Sequence, residues 1–255
     1  MLNTSSTRYL VVASAALALF GCTEHDATLR TEVREVGPFD AIDMEGAARL
    51  EISVGADRFV RVDAVGTALE RVVTEVRGDT LYIESRPKDW LPTNGRPRVT
   101  VRIGVPTLVS LRLGGGNDVQ LQGYAGGAST IEAEGASHIK AEGRLDRFIV
   151  RMSGAGHADF SELIAKDTRV TVDGVGSVTV HPEEKLDATM NGIGAIFYLG
   201  SPRDVSTRMN GLGRIVRRDS KDSESVADEQ PELDPETLQP EYEDGARDSA
   251  AQDVI

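Results

Sequence analysis

The chain has a single cysteine in 255 residues, Cys22, so no disulfide can form within it and no cysteine-built zinc cage is available. Aromatic residues are scarce at 5%, and a core must therefore be assembled from Val, Ile, Leu and Ala rather than from rings. Long hydrophobic runs are missing as well. The longest, Leu10–Phe20, has 11 residues, about half of what a membrane-spanning helix requires. Basic charge is also short, with 28 Lys and Arg against 41 Asp and Glu for a net charge of −13. Binding a phosphate backbone needs a clustered basic surface, so nucleic acid is not an expected partner.

The acidic excess is local. Residues 219–255 hold 13 acids against Lys221 and Arg247, which leaves a balance of only −2 for the rest of the chain. With Pro231, Pro235 and Pro240 among the acids and few apolar side chains, that stretch reads as an acidic disordered tail.

At the other end, Arg8 precedes the 11-residue apolar run, in the manner of a signal peptide over residues 1–21. The run ends in Leu19-Phe20-Gly21-Cys22, which resembles the lipobox of bacterial lipoproteins, with Phe20 bulkier than usual at its position. That resemblance implies that Cys22 is acylated and becomes the mature amino terminus, so the membrane is a partner through a lipid anchor. Two or more acyl chains, at about 0.8 kcal/mol per buried CH₂, make such an anchor stable. Thr23 rather than Asp follows the cysteine, which by the same resemblance points to the outer membrane. Residues 22–35 then read as the lipidated cysteine and a polar spacer.

What the sequence has in abundance is glycine, and it is periodic. Gly115, Gly135, Gly154, Gly174, Gly192 and Gly211 are separated by 20, 19, 20, 18 and 19 residues. Two residues before them stand Leu113, Ala133, Met152, Val172, Met190 and Met209, and four after them Val119, Ile139, Ala158, Val178, Ile196 and Ile215. The positions between are mostly polar. This alternation on both sides of a glycine predicts two short strands meeting at a tight corner. Gly46, between Met44 and Leu50, reads as an earlier copy, and Gly78-Asp79 as the turn of a hairpin. A unit of about 19 residues buries nothing alone, but stacked in register its apolar positions form continuous columns. The expectation is an all-β fold, a parallel β-helix or solenoid with rungs of about 19 residues, over residues 36–218. A β-sandwich is the alternative, since short strands at this spacing suit one too.

Several motifs in a fixed order carry a family resemblance. They are Phe39-Asp40-Ala41-Ile42, Asp79-Thr80-Leu81-Tyr82-Ile83 and Val105-Pro106-Thr107-Leu108, then Asn191-Gly192-Ile193-Gly194 and Asn210-Gly211-Leu212-Gly213. In these the chain resembles the "putative auto-transporter adhesin, head GIN domain" family of bacterial envelope proteins, from about Val36 to Arg218. The resemblance implies a right-handed β-helix on a secreted or lipid-anchored protein, and it carries over no catalytic residue.

Stacking would also align the position three after each glycine: Asp118, His138, His157, Ser177, Ala195 and Arg214. Asp118, His138 and His157 are candidate ligands for a divalent metal such as zinc, and Ser177 beside His157 is a candidate nucleophile pair. The plainer reading is a solvated corner, because a rung this short leaves no long loop to build a pocket or an oxyanion hole. No cofactor is expected. Trp90, the one tryptophan, sits in the Pro-rich stretch Arg86–Pro97, where it either covers an end of the solenoid or contacts a sugar or protein. The function expected is that of a non-enzymatic, lipid-anchored envelope protein, a binding or structural module contacting protein, glycan or further copies of itself. The alternative is a glycan-active lyase or hydrolase. Outward charges of both signs (Arg112, Glu132, Arg151, Asp173) suit a solvated face better than the paired carboxylates of a glycosidase.

Overall fold

The computed structural model of the chain describes residues 28–85 and 99–218. Cys22, the apolar run before it, Trp90 and the acidic stretch 219–255 lie outside the described residues.

Alternating apolar residues draw long extended segments from the chain. In order these are β1 (Leu29–Arg34), β2 (Ala41–Val54), β3 (Phe59–Val65), β4 (Val72–Arg77), β5 (Thr80–Ser85), β6 (Val99–Val105), β7 (Ser110–Ala125), β8 (Ala128–Met152), β9 (Ala155–Val172), β10 (Val175–Met190), β11 (Ile193–Tyr198), β12 (Asp204–Met209) and β13 (Leu212–Arg217). From β2 onward through β7, β8, β9 and β10 to β11, β12 and β13 the pairing is parallel. The result is a β-solenoid of about 5 turns, and parallel pairing through the whole stack rules out the sandwich. Each turn has two straight faces meeting at the glycine and a shorter third side carrying buried Tyr124, Leu145, Leu163 or Ala165.

The columns expected from the repeat are present. Leu50, Val119, Ile139, Ala158, Val178 and Ile196 follow one another in register and are all fully buried. Phe148 and Phe160 meet inside edge to face, with ring centroids 4.9 Å apart. The corner glycines also stack. A Cβ on Gly115, Gly135, Gly154, Gly174, Gly192 or Gly211 would lie 1.7–2.3 Å from the carbonyl oxygen of the glycine one rung before it. Only Gly46, Gly115 and Gly135 of this ladder have left-handed φ, at 110°, 89° and 100°. From Gly154 onward the requirement is space, not backbone conformation.

Chain order and rung order diverge at the beginning. β2, which carries Gly46, is flanked by β7 on one side and by β5 and β6 on the other. The chain leaves β2, makes the β4–β5 hairpin through Gly78-Asp79, and returns to pair on the open side of β2. Beyond β5 and β6 the pairing turns antiparallel, with β4 on β5, β3 on β6 and β1 on β3. A 3₁₀ turn, Gly66–Arg71, tucks Ala68 and Leu69 into this end. Leu29–Arg34 is thus a strand of the domain and not a spacer. Leu29, Thr31 and Val33 alternate with Arg30, Glu32 and Arg34, a strand pattern of six residues that lies outside the 19-residue repeat and is exposed along most of its length.

Candidate functional site

The row three residues after each glycine is real: Arg49, Asp118, His138, His157, Ser177, Ala195 and Arg214 stand on consecutive rungs. Their contacts sort them into pairs. Arg49 takes Asp118 in an ion pair, Nη2 to Oδ2 at 2.7 Å with Nε donating to the same oxygen at 2.9 Å. His138 and His157 stack, with centroids 5.6 Å apart and planes 19° from parallel. His157 Nδ1 and Ser177 Oγ share a hydrogen bond of 2.6 Å. Arg214 lies 5.3 Å over the ring of Phe197.

This arrangement does not gather the three candidate metal ligands. Stacked imidazoles present ring faces to each other, and Asp118 is held by Arg49 on the far side of His138. Among the described residues no group of three or more His, Cys, Asp or Glu is placed to hold a metal ion. The Ser177–His157 contact does form, on an exposed corner, while Asp118, the acid of the row, is held by Arg49.

Outward columns on the flat faces carry most of the charge. Glu132 sits between Arg112 at 3.2 Å and Arg151 at 2.8 Å, and Asp187 between Arg169 at 3.3 Å and Arg208 at 3.4 Å. Lys140 meets Glu162, Lys166 meets Asp146, and Lys185 meets Asp204, at 2.7–3.0 Å. The hydrogen bond from Lys166, with that from the Gly127 amide, holds the Asp146 carboxyl below its ordinary value. Glu132 raises the Arg112 guanidinium in the same way. Opposite charges thus alternate from rung to rung, locking outward side chains to their neighbours. A ladder of amides follows one corner, where Asn210 donates to Asn191 at 2.8 Å and Asn191 to Asp173 at 2.6 Å. The sequence contained this lattice, since Arg112, Glu132 and Arg151 are one column of the repeat. Opposite charges one period apart become neighbours once the rungs stack.

A concavity of about 500 Å³ was not foreseen. It opens where β4 and β5 adjoin β2 and is lined by Asp43, Glu45, Val73, Glu75, Tyr82 and Glu84 among others. Arg77 crosses it, bonded to Glu75 at 2.6 Å and lying 5.2 Å over Tyr82. It is an acceptor-rich recess. Its walls come from strands far apart in sequence, so spacing alone does not reveal it.

A family model described as "Putative auto-transporter adhesin, head GIN domain" matches residues 38–202. The chain belongs to that family. No curated protein matches it. A solved structure of a putative adhesin from Bacteroides fragilis NCTC 9343 is similar at 19% identity and a TM-score of 0.60, covering 76% of this chain and 99% of that one. A putative lipid binding protein from Parabacteroides distasonis ATCC 8503 shares 17% identity with a TM-score of 0.43, covering 76% and 98%. A putative adhesin from Parabacteroides merdae ATCC 43184 shares 15% with a TM-score of 0.42, covering 76% and 97%. The head GIN domain here thus has its fold in common with a solved adhesin-class protein. Its family is of an adhesin type, which suggests the cell envelope or surface as its setting.

Proposed function

We propose that this protein is a non-enzymatic envelope module, anchored through acylated Cys22 at the outer membrane, which uses the solenoid wall to contact protein or glycan. The observation that carries the reading is the cross-rung charge lattice. Arg112, Glu132 and Arg151 on one column, and Asp187 held both by Arg169 of its own column and by Arg208 of the next, are already fixed by their neighbours. A ligand meeting such a wall finds side chains whose rotamer freedom is already restricted, which lowers the entropic cost of association. The adhesin-type family supports the same reading. The acidic recess beside Tyr82 is the first place on the described surface to look for a contact, and Trp90 is the first residue to test outside it.

Two measurements test it. Metabolic labelling with an alkyne fatty acid is expected to tag the wild-type protein and not Cys22→Ser. Label on both, or on neither, contradicts the anchor. Binding to arrayed envelope glycans and surface proteins is expected for the wild type and weaker for Trp90→Ala. Release of cleaved glycan with no retained binding would instead make it an enzyme.

A further inference from the structure

The recess beside Tyr82 lies on the face before the corner glycine Gly46, and a second recess lies on the face after it. Its volume is about 310 Å³, at the lower end of the range for ligand cavities. Register lays out its walls. Phe59, Gly104, Ser53 and Gln122 stand side by side in one row across β3, β6, β2 and β7. Two residues earlier on β6, β2 and β7, and continuing onto β8, runs the row Arg102, Glu51, Gln120 and Lys140. Gly104 leaves a gap in the first row, and the Phe59 ring lies over it. A Cβ at that glycine would come within 2.5 Å of two ring carbons. β1 ends beside Val60, and the ring keeps 39% of its surface exposed.

Charge says what would fit. Arg102 and Lys140 balance Glu51 and Glu142 in the lining, and both cations are already engaged. Arg102 is held by Glu51 at 2.7 Å and by the buried Asp63, and Lys140 by Glu162 at 2.8 Å. An anion entering here must compete with Glu51 for Arg102, and a cation must compete with Arg102 for Glu51. The neutral groups are a ring face, the Ser53 hydroxyl and the exposed amides of Gln120 and Gln122, with Gln122 donating to Ser53 at 3.1 Å. Amides and hydroxyls both donate and accept, as the hydroxyls of a sugar do. The C–H face of a sugar ring also suits the electron-rich face of an aromatic ring. We propose that this recess binds a neutral oligosaccharide, with one sugar ring laid on Phe59 and hydroxyls shared among Ser53, Gln120, Gln122 and the Arg102–Glu51 pair. The proposal rests on the binding-module reading and gives it a site and a ligand class.

The probes are maltotriose, cellotriose and triacetylchitotriose, with chitotriose and trigalacturonate as cationic and anionic counterparts. Binding to the full chain is followed by saturation-transfer difference NMR. Saturable binding of at least one neutral trisaccharide is expected, weaker by about tenfold or more in Gln120→Ala/Gln122→Ala and in Phe59→Leu. These side chains are exposed, and circular dichroism checks the fold of each variant. Should Phe59→Leu fail to fold, the amide variant decides alone. The affinity should stay within about twofold in about 0.5 M salt, because no net charge is bound. Equal or tighter binding of chitotriose or trigalacturonate would overturn the neutral class. Trisaccharide binding unchanged in the variants would overturn the site. Capture by arrayed surface proteins with no trisaccharide bound would remove this proposal and leave the binding-module reading standing, whereas no binding of either kind would defeat both.

Discussion

At the scale of single residues, the corner glycines show how one atom decides an architecture. A methyl group on Gly174 would lie 1.7 Å from the carbonyl oxygen of Gly154, and neither backbone can retreat without parting the rungs. Gly174→Ala is expected to destabilise the domain by about 2–4 kcal/mol in denaturant unfolding. The control is Gly116→Ala, where nothing lies within 4 Å and the next rung already carries Ala136 in register. It should stay within about 0.5 kcal/mol of wild type. Equal effects at both positions would remove the steric reason for the repeat. A second residue, Tyr124, sits on the third side of the coil with its hydroxyl 3.0 Å from that of Ser129. Burial pushes its phenol from 10.0 up to about 12. The folded protein therefore keeps this proton at a pH where the unfolded chain releases it. Stability is intact below about pH 10 and falls as pH rises toward 12, by about 2–3 kcal/mol in all. Urea titrations across that range should show the loss, and Tyr124→Phe should flatten it. An unchanged slope in the variant would mean that another group is responsible.

Among elements, position in the stack matters more than residue type. Ile196 and Ile215 occupy the same column one rung apart, but Ile196 is fully buried between two rungs and Ile215 is covered on one side only. Ile196→Ala is expected to cost about 2–4 kcal/mol, and Ile215→Ala less than half of that. Equal costs would mean that the terminal rung is sealed. How much of this could be read beforehand also varies by element. The rungs from β7 to β13 were legible because glycine, apolar and polar positions recur with one period. β2 was legible through Gly46, and the β4–β5 hairpin through Gly78-Asp79. The position of β2 between β7 and the β5–β6 rung was not, because nothing local records that a later segment returns to an earlier strand's open edge. β1 was missed for a different reason. Its Leu29-Arg30-Thr31-Glu32-Val33-Arg34 alternates, but the run is short, stands apart from the glycine repeat and has no buried face.

At the scale of the molecule, the aligned row from Asp118 to Arg214 was legible, and its chemistry was not. The period places His138, His157 and Ser177 side by side but gives no rotamers, so the Arg49–Asp118 pair that draws the carboxylate away emerges only in three dimensions. The recess beside Tyr82 escaped for a related reason, being walled by strands that meet only after folding. Everything said about neighbours depends on rungs lying in register. The corner positions Gly116, Ala136, Ala155, Val175 and Leu212 offer sites to test this. Spin labels placed pairwise between Leu212 and each of the others, in a Cys22→Ser background, report distances by electron paramagnetic resonance, from dipolar line broadening for the shorter pairs and pulsed methods for the longer. At about 4.8 Å per rung, the separations should climb in even steps from about 10 Å at Val175 through about 14 Å at Ala155 and about 19 Å at Ala136 to about 24 Å at Gly116. Distances that fail to rise by a constant increment would mean that the windings are not stacked.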